Sequence, residues 1–163
     1  WWYGLVRDIF IDLGMFDKFD QYFNDLYEYF SNEAWDVYPD TIPTLKRLKD
    51  IGFNVVITSN FDSRIYDVCK KFEINQFVDH FTISSESGYS KPDKELFYLS
   101  LRKVQAKTFE SIHVGDNYNL DYVPSTEIGM KSILIDRGNE FDKEIDICIS
   151  RDFSKIFEVI NES

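Results

Sequence analysis

The chain has 163 residues, enough for one compact domain, and 44% apolar with 17% aromatic side chains can fill its core. Eighteen Lys and Arg against 29 Asp and Glu leave a net charge of -11, which repels nucleic-acid phosphates and anionic membrane surfaces and excludes both as expected partners. No stretch approaches the ~20 apolar residues of a membrane span, and Cys69 and Cys148 stand outside any CxxC pattern, so a soluble chain of the reducing cytoplasm is expected.

In chain order, Trp1, Trp2, Leu5, Val6, Ile9, Phe10 and Leu13 recur at helical spacing, with Gly14 as the stop. The aromatics at the very start stand where terminal residues are usually small and polar, which suggests a cut end. Phe19, Tyr22, Phe23, Leu26, Tyr27 and Phe30 form a second apolar ladder. Residues 1–37 therefore read as a helical hairpin. From residue 38 the pattern changes to alternating helix and strand. Ile42, Leu45, Leu48 and Ile51 mark a helix ended by Gly52; "FNVVIT" has the uninterrupted apolar character of a strand buried on both faces. A helix through Ile65, Val68, Cys69 and Phe72 leads to a strand near "HFTIS", then to a helix opened by Pro92. "SIHVG" predicts a third strand, Leu120 to Gly129 a short helix, and "SILID" a fourth strand. A weaker strand, "IDICIS", and a helix through Ile156, Phe157 and Ile160 complete the chain. The fold class is α/β, with a Rossmann-like parallel sheet flanked by helices over residues 38–163.

Ligands of such sheets bind outside the carboxyl ends of the strands, and the polar clusters lie there: "TSN" (58–60), "SSESGYSK" (84–91), "GDNYNLD" (115–121) and "DRG" (136–138). Asp116 follows Gly115 at a strand end, where the backbone can turn sharply and present the carboxylate to a hard cation such as Mg²⁺. The alternative is that Asp116 and Asp121 are caps or turn formers. Ser59 and Asn60 end a strand just before a helix, where a hydroxyl and backbone amides can hold an anionic oxygen or simply shape a turn, with Asp62 the better cap. Lys91 precedes Pro92 at the positive end of a helix, a position easier to explain beside an anion than in open solvent. His113 reads as a core or supporting residue, and the tryptophans as packing. GxGxxG, GK[ST] and GxSxG are absent, which removes dinucleotide folds, P-loop NTPases and nucleophile-elbow hydrolases.

Three phrases in this order, "VVITSN", "SKPDKELF" and "HVGDNYNLDY", resemble the second, third and fourth motifs of the haloacid-dehalogenase-like (HAD) hydrolases, a match over about residues 38–137. The hairpin is similar to the second half of the helical cap of that family. "SNFD" and the leading "WW" are reminiscent of the subgroup with small-molecule phosphatases. The resemblance implies phosphoryl transfer from a small phosphorylated substrate through an aspartyl-phosphate, with Mg²⁺ as cofactor. By position, Ser59 and Asn60 would bind phosphate, Lys91 would bind phosphate and stabilise charge during catalysis, Asp116 would ligate the metal, and Asp121 would support the metal's water shell or orient Lys91. The first motif, an apolar strand ending DxDx[TV] that carries the nucleophile, has no match: "RDIFIDLG" has its aspartates at the wrong spacing and reads as a helix. Its loss would leave a gap between the "VVITSN" and "SIHVGD" strands. Pro124 stands where relatives often have Gly.

The leading expectation is a Mg²⁺-dependent phosphatase lacking its nucleophile strand, inactive as it stands. A non-catalytic HAD-like binding module is the alternative, and a receiver-like signalling domain ranks lower because its acids precede its Ser/Thr and Lys. Oligomeric state and substrate identity are open at this level.

Overall fold

The computed structural model describes residues 2–11, 16–141 and 147–162. Helices α1 (Trp2–Phe10) and α2 (Phe19–Glu28) form the expected hairpin, while the stop at Gly14 lies outside the described residues. Aromatic contacts hold it: the Trp2 ring centre is 5.4 Å from Phe23 and 5.8 Å from Phe30, and Tyr3 is 4.8 Å from Phe23. Each such pair contributes roughly 0.5–1.5 kcal/mol beyond the area it buries. Val6 and Phe19 are buried, whereas Leu5 and Ile9, one turn apart on α1, are exposed.

Helix α3 (Thr41–Asp50) ends where Gly52 turns back at φ +89°, a left-handed conformation that lacks a steric penalty only in glycine. Then follow β1 (Val56–Ser59), α4 (Arg64–Lys71), β2 (His80–Ile83), the single turn α5 (Ser84–Ser87) and α6 (Lys94–Lys103). After them come β3 (Ile112–Gly115), α7 (Val123–Glu127), β4 (Lys131–Ile135), β5 (Ile149–Ser150) and α8 (Lys155–Asn161).

All strand pairs are parallel, as the alternating pattern predicts, but the strands divide into two sheets. One has the order β1-β2 and the other β3-β4-β5, with no pairing between β1 and β3 among the described residues. The break falls where the HAD resemblance placed a strand not found in the sequence. Residues 56–59 are half-buried rather than enclosed on both faces, and among the described residues β1 has a strand neighbour along one edge only.

Helix α6 spans the break. Its Leu96, Phe97 and Leu101 are buried, Ser100 bonds Thr58 on β1 at 2.6 Å, and the Phe97 ring meets His113 on β3 edge-on at 4.9 Å. A second apolar cluster, Ile133, Ile135 and Ile156, joins β4 to α8.

Two further expectations change. The helix expected from Leu120 begins instead as a wide π turn, Tyr118–Tyr122, before α7. Pro124 lacks the N–H that an ordinary helix would direct at residue 120, and the wider turn sends the Val123 N–H to the Tyr118 carbonyl. The "IDICIS" strand is ordered as β5 only at Ile149 and Ser150, its first two residues lying outside the described part. No helix of the described residues is long and apolar enough to cross a membrane.

Candidate functional site

Three of the four polar strand-end loops are joined, through Asn60, Lys91 and Asp121. The centre is Asp121, in the π turn, 2% exposed. Its Oδ1 accepts hydrogen bonds from Lys91 Nζ at 2.5 Å and His113 Nε2 at 3.0 Å, and its Oδ2 accepts from the Asn117 N–H at 3.2 Å. Burial pushes this carboxyl towards the neutral form, but the bonds from His113 and Lys91 more than offset it and hold its pKa below the usual carboxylate range. An ionised carboxylate only accepts, so His113 carries its proton on Nε2.

Gly115 makes this packing possible. A Cβ there would stand 2.3 Å from Asp121 Cγ, an impossible contact. The sequence suggested that this glycine provides a sharp turn. Its φ is not left-handed, and what it provides is close approach.

Lys91 is fixed at both ends. Its ammonium, with the side chain 14% exposed, rests on Asp121. Its main chain pairs with the Asn60 amide, the Lys91 N–H donating to Oδ1 at 2.6 Å and the Lys91 carbonyl accepting from Nδ2 at 2.9 Å. Asn60, expected to bind phosphate, thus spends its side chain holding the Lys91 loop. Ser59 Oγ accepts the Phe61 N–H at 3.1 Å, an arrangement that leaves its own proton free to donate.

Asp116 is exposed at the end of β3 and its carboxylate has no hydrogen-bond partner among the described residues. No group of three or more His, Cys, Asp or Glu side chains suited to a metal forms among the described residues. The structure therefore ties Asn60, Lys91, His113 and Asp121 into one network. Ser59, at the end of β1, and Asp116, just after β3, have no direct bond to it among the described residues.

His113 is the member the sequence undervalued. It is two residues before Gly115, so both face the same side of β3, and that is the side Asp121 occupies. Ser125, fully buried, was also missed; its Oγ bonds the Asp121 carbonyl at 2.5 Å and Ser132 Oγ at 2.7 Å. The spacing of 121 and 125, one helical turn, was its only signal. The cysteines take no part: burial pushes the Cys69 thiol up to about 11, and it stays protonated.

A parallel α/β fold with a hydroxyl, a lysine and acids on its strand-end loops defines a class of proteins whose chemistry sits at the carboxyl edge of the sheet. Within that class the chain belongs to the haloacid dehalogenase-like hydrolase family, whose model matches residues 7–123. It is similar to haloacid dehalogenase-like hydrolase domain-containing protein 3 of Danio rerio, 31% identical over 150 residues, covering 90% of this chain and 62% of that protein. It is also similar to glyceraldehyde 3-phosphate phosphatase of Methanocaldococcus jannaschii, 34% identical over 110 residues, covering 67% of this chain and 48% of that one. Among solved structures, a HAD phosphatase from Thermococcus onnurineus superposes with a TM-score of 0.73 at 22% identity, covering 77% of this chain and 58% of the other. The chain spans roughly half to three-fifths of the curated relatives it matches.

Proposed function

We propose that the chain forms the phosphate-binding part of a phosphoric monoester hydrolase acting on a small phosphorylated metabolite. The observation that carries this reading is the fixed, nearly buried Lys91 ammonium between the ends of β1 and β3, held by Asp121 at 2.5 Å. Phosphoryl transfer requires positioning and neutralisation of oxygen charge more than any other service from the protein. Lys91 has donors beyond the one spent on Asp121, and they would offset charge on the phosphate and on the attacking group. The Ser59 hydroxyl would donate to a phosphate oxygen. Asn60 would act through Lys91, by pinning its loop. The name of the Methanocaldococcus jannaschii relative supports a substrate of sugar-phosphate size.

The oxygen chemistry of Asp116 fits Mg²⁺, because its carboxylate is exposed and has no hydrogen-bond partner among the described residues. Asp121 has both oxygens engaged and fits the supporting role. Magnesium, when bound there, would supply positive charge to the phosphoryl oxygens.

A carboxylate nucleophile would attack phosphorus as the substrate's alkoxide leaves, and water would then hydrolyse the acyl phosphate. Asp8 is unsuited to this role, since it lies exposed on α1 beside Arg7. We assign the nucleophile to an extended strand of the form DxDx[TV] seated between β1 and β3, each of which has an unpaired edge among the described residues.

The test is turnover of p-nitrophenyl phosphate with Mg²⁺. The chain alone should give none. Adding a synthetic apolar peptide ending in DxDxT should give turnover that Asp116→Asn abolishes and Lys91→Ala lowers on the order of 10²-fold or more. Turnover by the unsupplemented chain, abolished by Asp116→Asn, would overturn the assignment of the nucleophile. An unchanged rate in Lys91→Ala would overturn the role of Lys91. A second reading, a non-catalytic phosphate-binding module, is favoured by the lack of a converged acid cluster among the described residues. Phosphate binding without turnover, even with the peptide, would select it.

A further inference from the structure

We propose that Arg64 is a positioning residue that couples the helical hairpin to the Ser59 loop, so that hairpin packing and occupancy of the phosphate site depend on each other. The proposal rests on the reading of Ser59 as a phosphate contact. Arg64 opens α4, five positions after Ser59, and is only 7% exposed. Its guanidinium is locked by a two-pronged bond to Asp62, Nε to Oδ1 at 2.8 Å and Nη2 to Oδ2 at 2.7 Å. The same plane is boxed by aromatic rings: Trp2 at 4.2 Å, Phe61 at 5.3 Å and Tyr27 at 5.4 Å.

These rings come from two places. Trp2 and Tyr27 belong to the hairpin, whereas Phe61 belongs to the loop leaving β1. The Phe61 N–H is the donor to Ser59 Oγ, and the Phe61 ring meets Trp35 edge-on at 5.2 Å. A displacement of α1 or α2 therefore reaches the Ser59 hydroxyl through one guanidinium and one peptide group. An aliphatic side chain could fill the same space, but it would leave Asp62 only the backbone N–H of residue 64 and would present no planar cation to the rings. Arginine joins both sets of contacts because its planar fork binds a carboxylate in its plane and aromatic faces above and below.

Arg137 provides the control. It also joins a carboxylate to a ring, with Nη2 on both Asp40 oxygens at 2.9 and 3.0 Å and the Tyr38 ring at 3.8 Å, but has no bond to the Ser59 loop among the described residues. The experiment is a titration of the isotope-labelled full chain with inorganic phosphate, followed by amide and indole NMR signals. In the wild type, the amides of Ser59, Asn60 and Phe61 should shift together with the Trp2 indole. In Arg64→Met the amide shifts should persist at about fivefold or higher phosphate concentration, with the indole silent; reciprocal coupling requires both effects. In Arg137→Met the indole should still respond. A full indole response in Arg64→Met, or a silent indole beside shifting amides in the wild type, would overturn the proposal. If phosphate moves none of these amides, the phosphate reading fails instead. Hydrogen exchange then decides the coupling: Arg64→Met should speed exchange of both the Phe61 amide and the α2 amides, Arg137→Met should leave Phe61 unchanged, and an unaltered Phe61 in Arg64→Met overturns it.

Discussion

A carboxylate as deeply buried as Asp121 is tolerated only with its charge and lone pairs satisfied, and here an ammonium, an imidazole and a backbone amide satisfy them. Asp121→Asn should cost about 3–5 kcal/mol in denaturant unfolding, because it leaves the Lys91 cation without its counter-charge. The pH dependence follows from the direction of the shift. Because the folded pKa of Asp121 lies below its unfolded value, the stabilisation is complete above roughly pH 4 and is lost as pH falls through the folded pKa. Thermal unfolding between pH 7 and pH 3 should therefore show a steeper acid loss in the wild type than in Asp121→Asn. Gly115→Ala should cost about 1–3 kcal/mol by overpacking against Asp121, and the Lys91 ammonium should become more accessible to amine-reactive reagents. Unchanged reactivity would separate Gly115 from the site.

Among the elements, α6 matters most because it touches both sheets. Its N-terminus is capped by Asp93, which accepts the Glu95 N–H at 2.9 Å, and its last turn carries Arg102 and Lys103, placed favourably for the helix dipole. Asp93→Ala should cost about 1 kcal/mol in urea unfolding. Since the same helix begins just after the Lys91 loop, that substitution should also loosen the loop, measurable as faster exchange of the Lys91 amide now held by Asn60. The hairpin shows a different economy. Ring contacts and a hydrogen bond from the Tyr3 hydroxyl to Asp20 hold α1 to α2, and two stacked arginines tie the chain segments around them to the strand-end loops.

At the scale of the whole molecule, the division into two parallel sheets leaves one edge of β1 and one edge of β3 unpaired among the described residues. A strand that pairs with both should raise the melting temperature in a concentration-dependent way. At a peptide concentration one hundred times its dissociation constant, the gain should be about 2.7 kcal/mol. A scrambled peptide of the same composition should give none, and equal effects from the two would refute pairing in the break.

By itself the sequence determined the elements and the edge where chemistry gathers. Apolar spacing of three and four residues marked α1 and α2, unbroken β-branched runs marked β1 and β4, and polar loops followed each strand. These signals are local, so they survive in one dimension. Ser59, Lys91, Asp116 and Asp121, the residues of the proposed site, stand out for the same reason, each lying in a short phrase at a strand end. Only the tertiary structure decided how they divide the work. Asp121 became the buried centre because Gly115 lets it approach. Asp116 remained exposed, Asn60 turned to the Lys91 backbone, and His113 joined the network. It also decided that β1 and β3 stand apart and that Arg64 lies among rings from distant parts of the chain. Such contacts depend on which surfaces packing brings within a few ångströms, and no spacing along the chain encodes that distance.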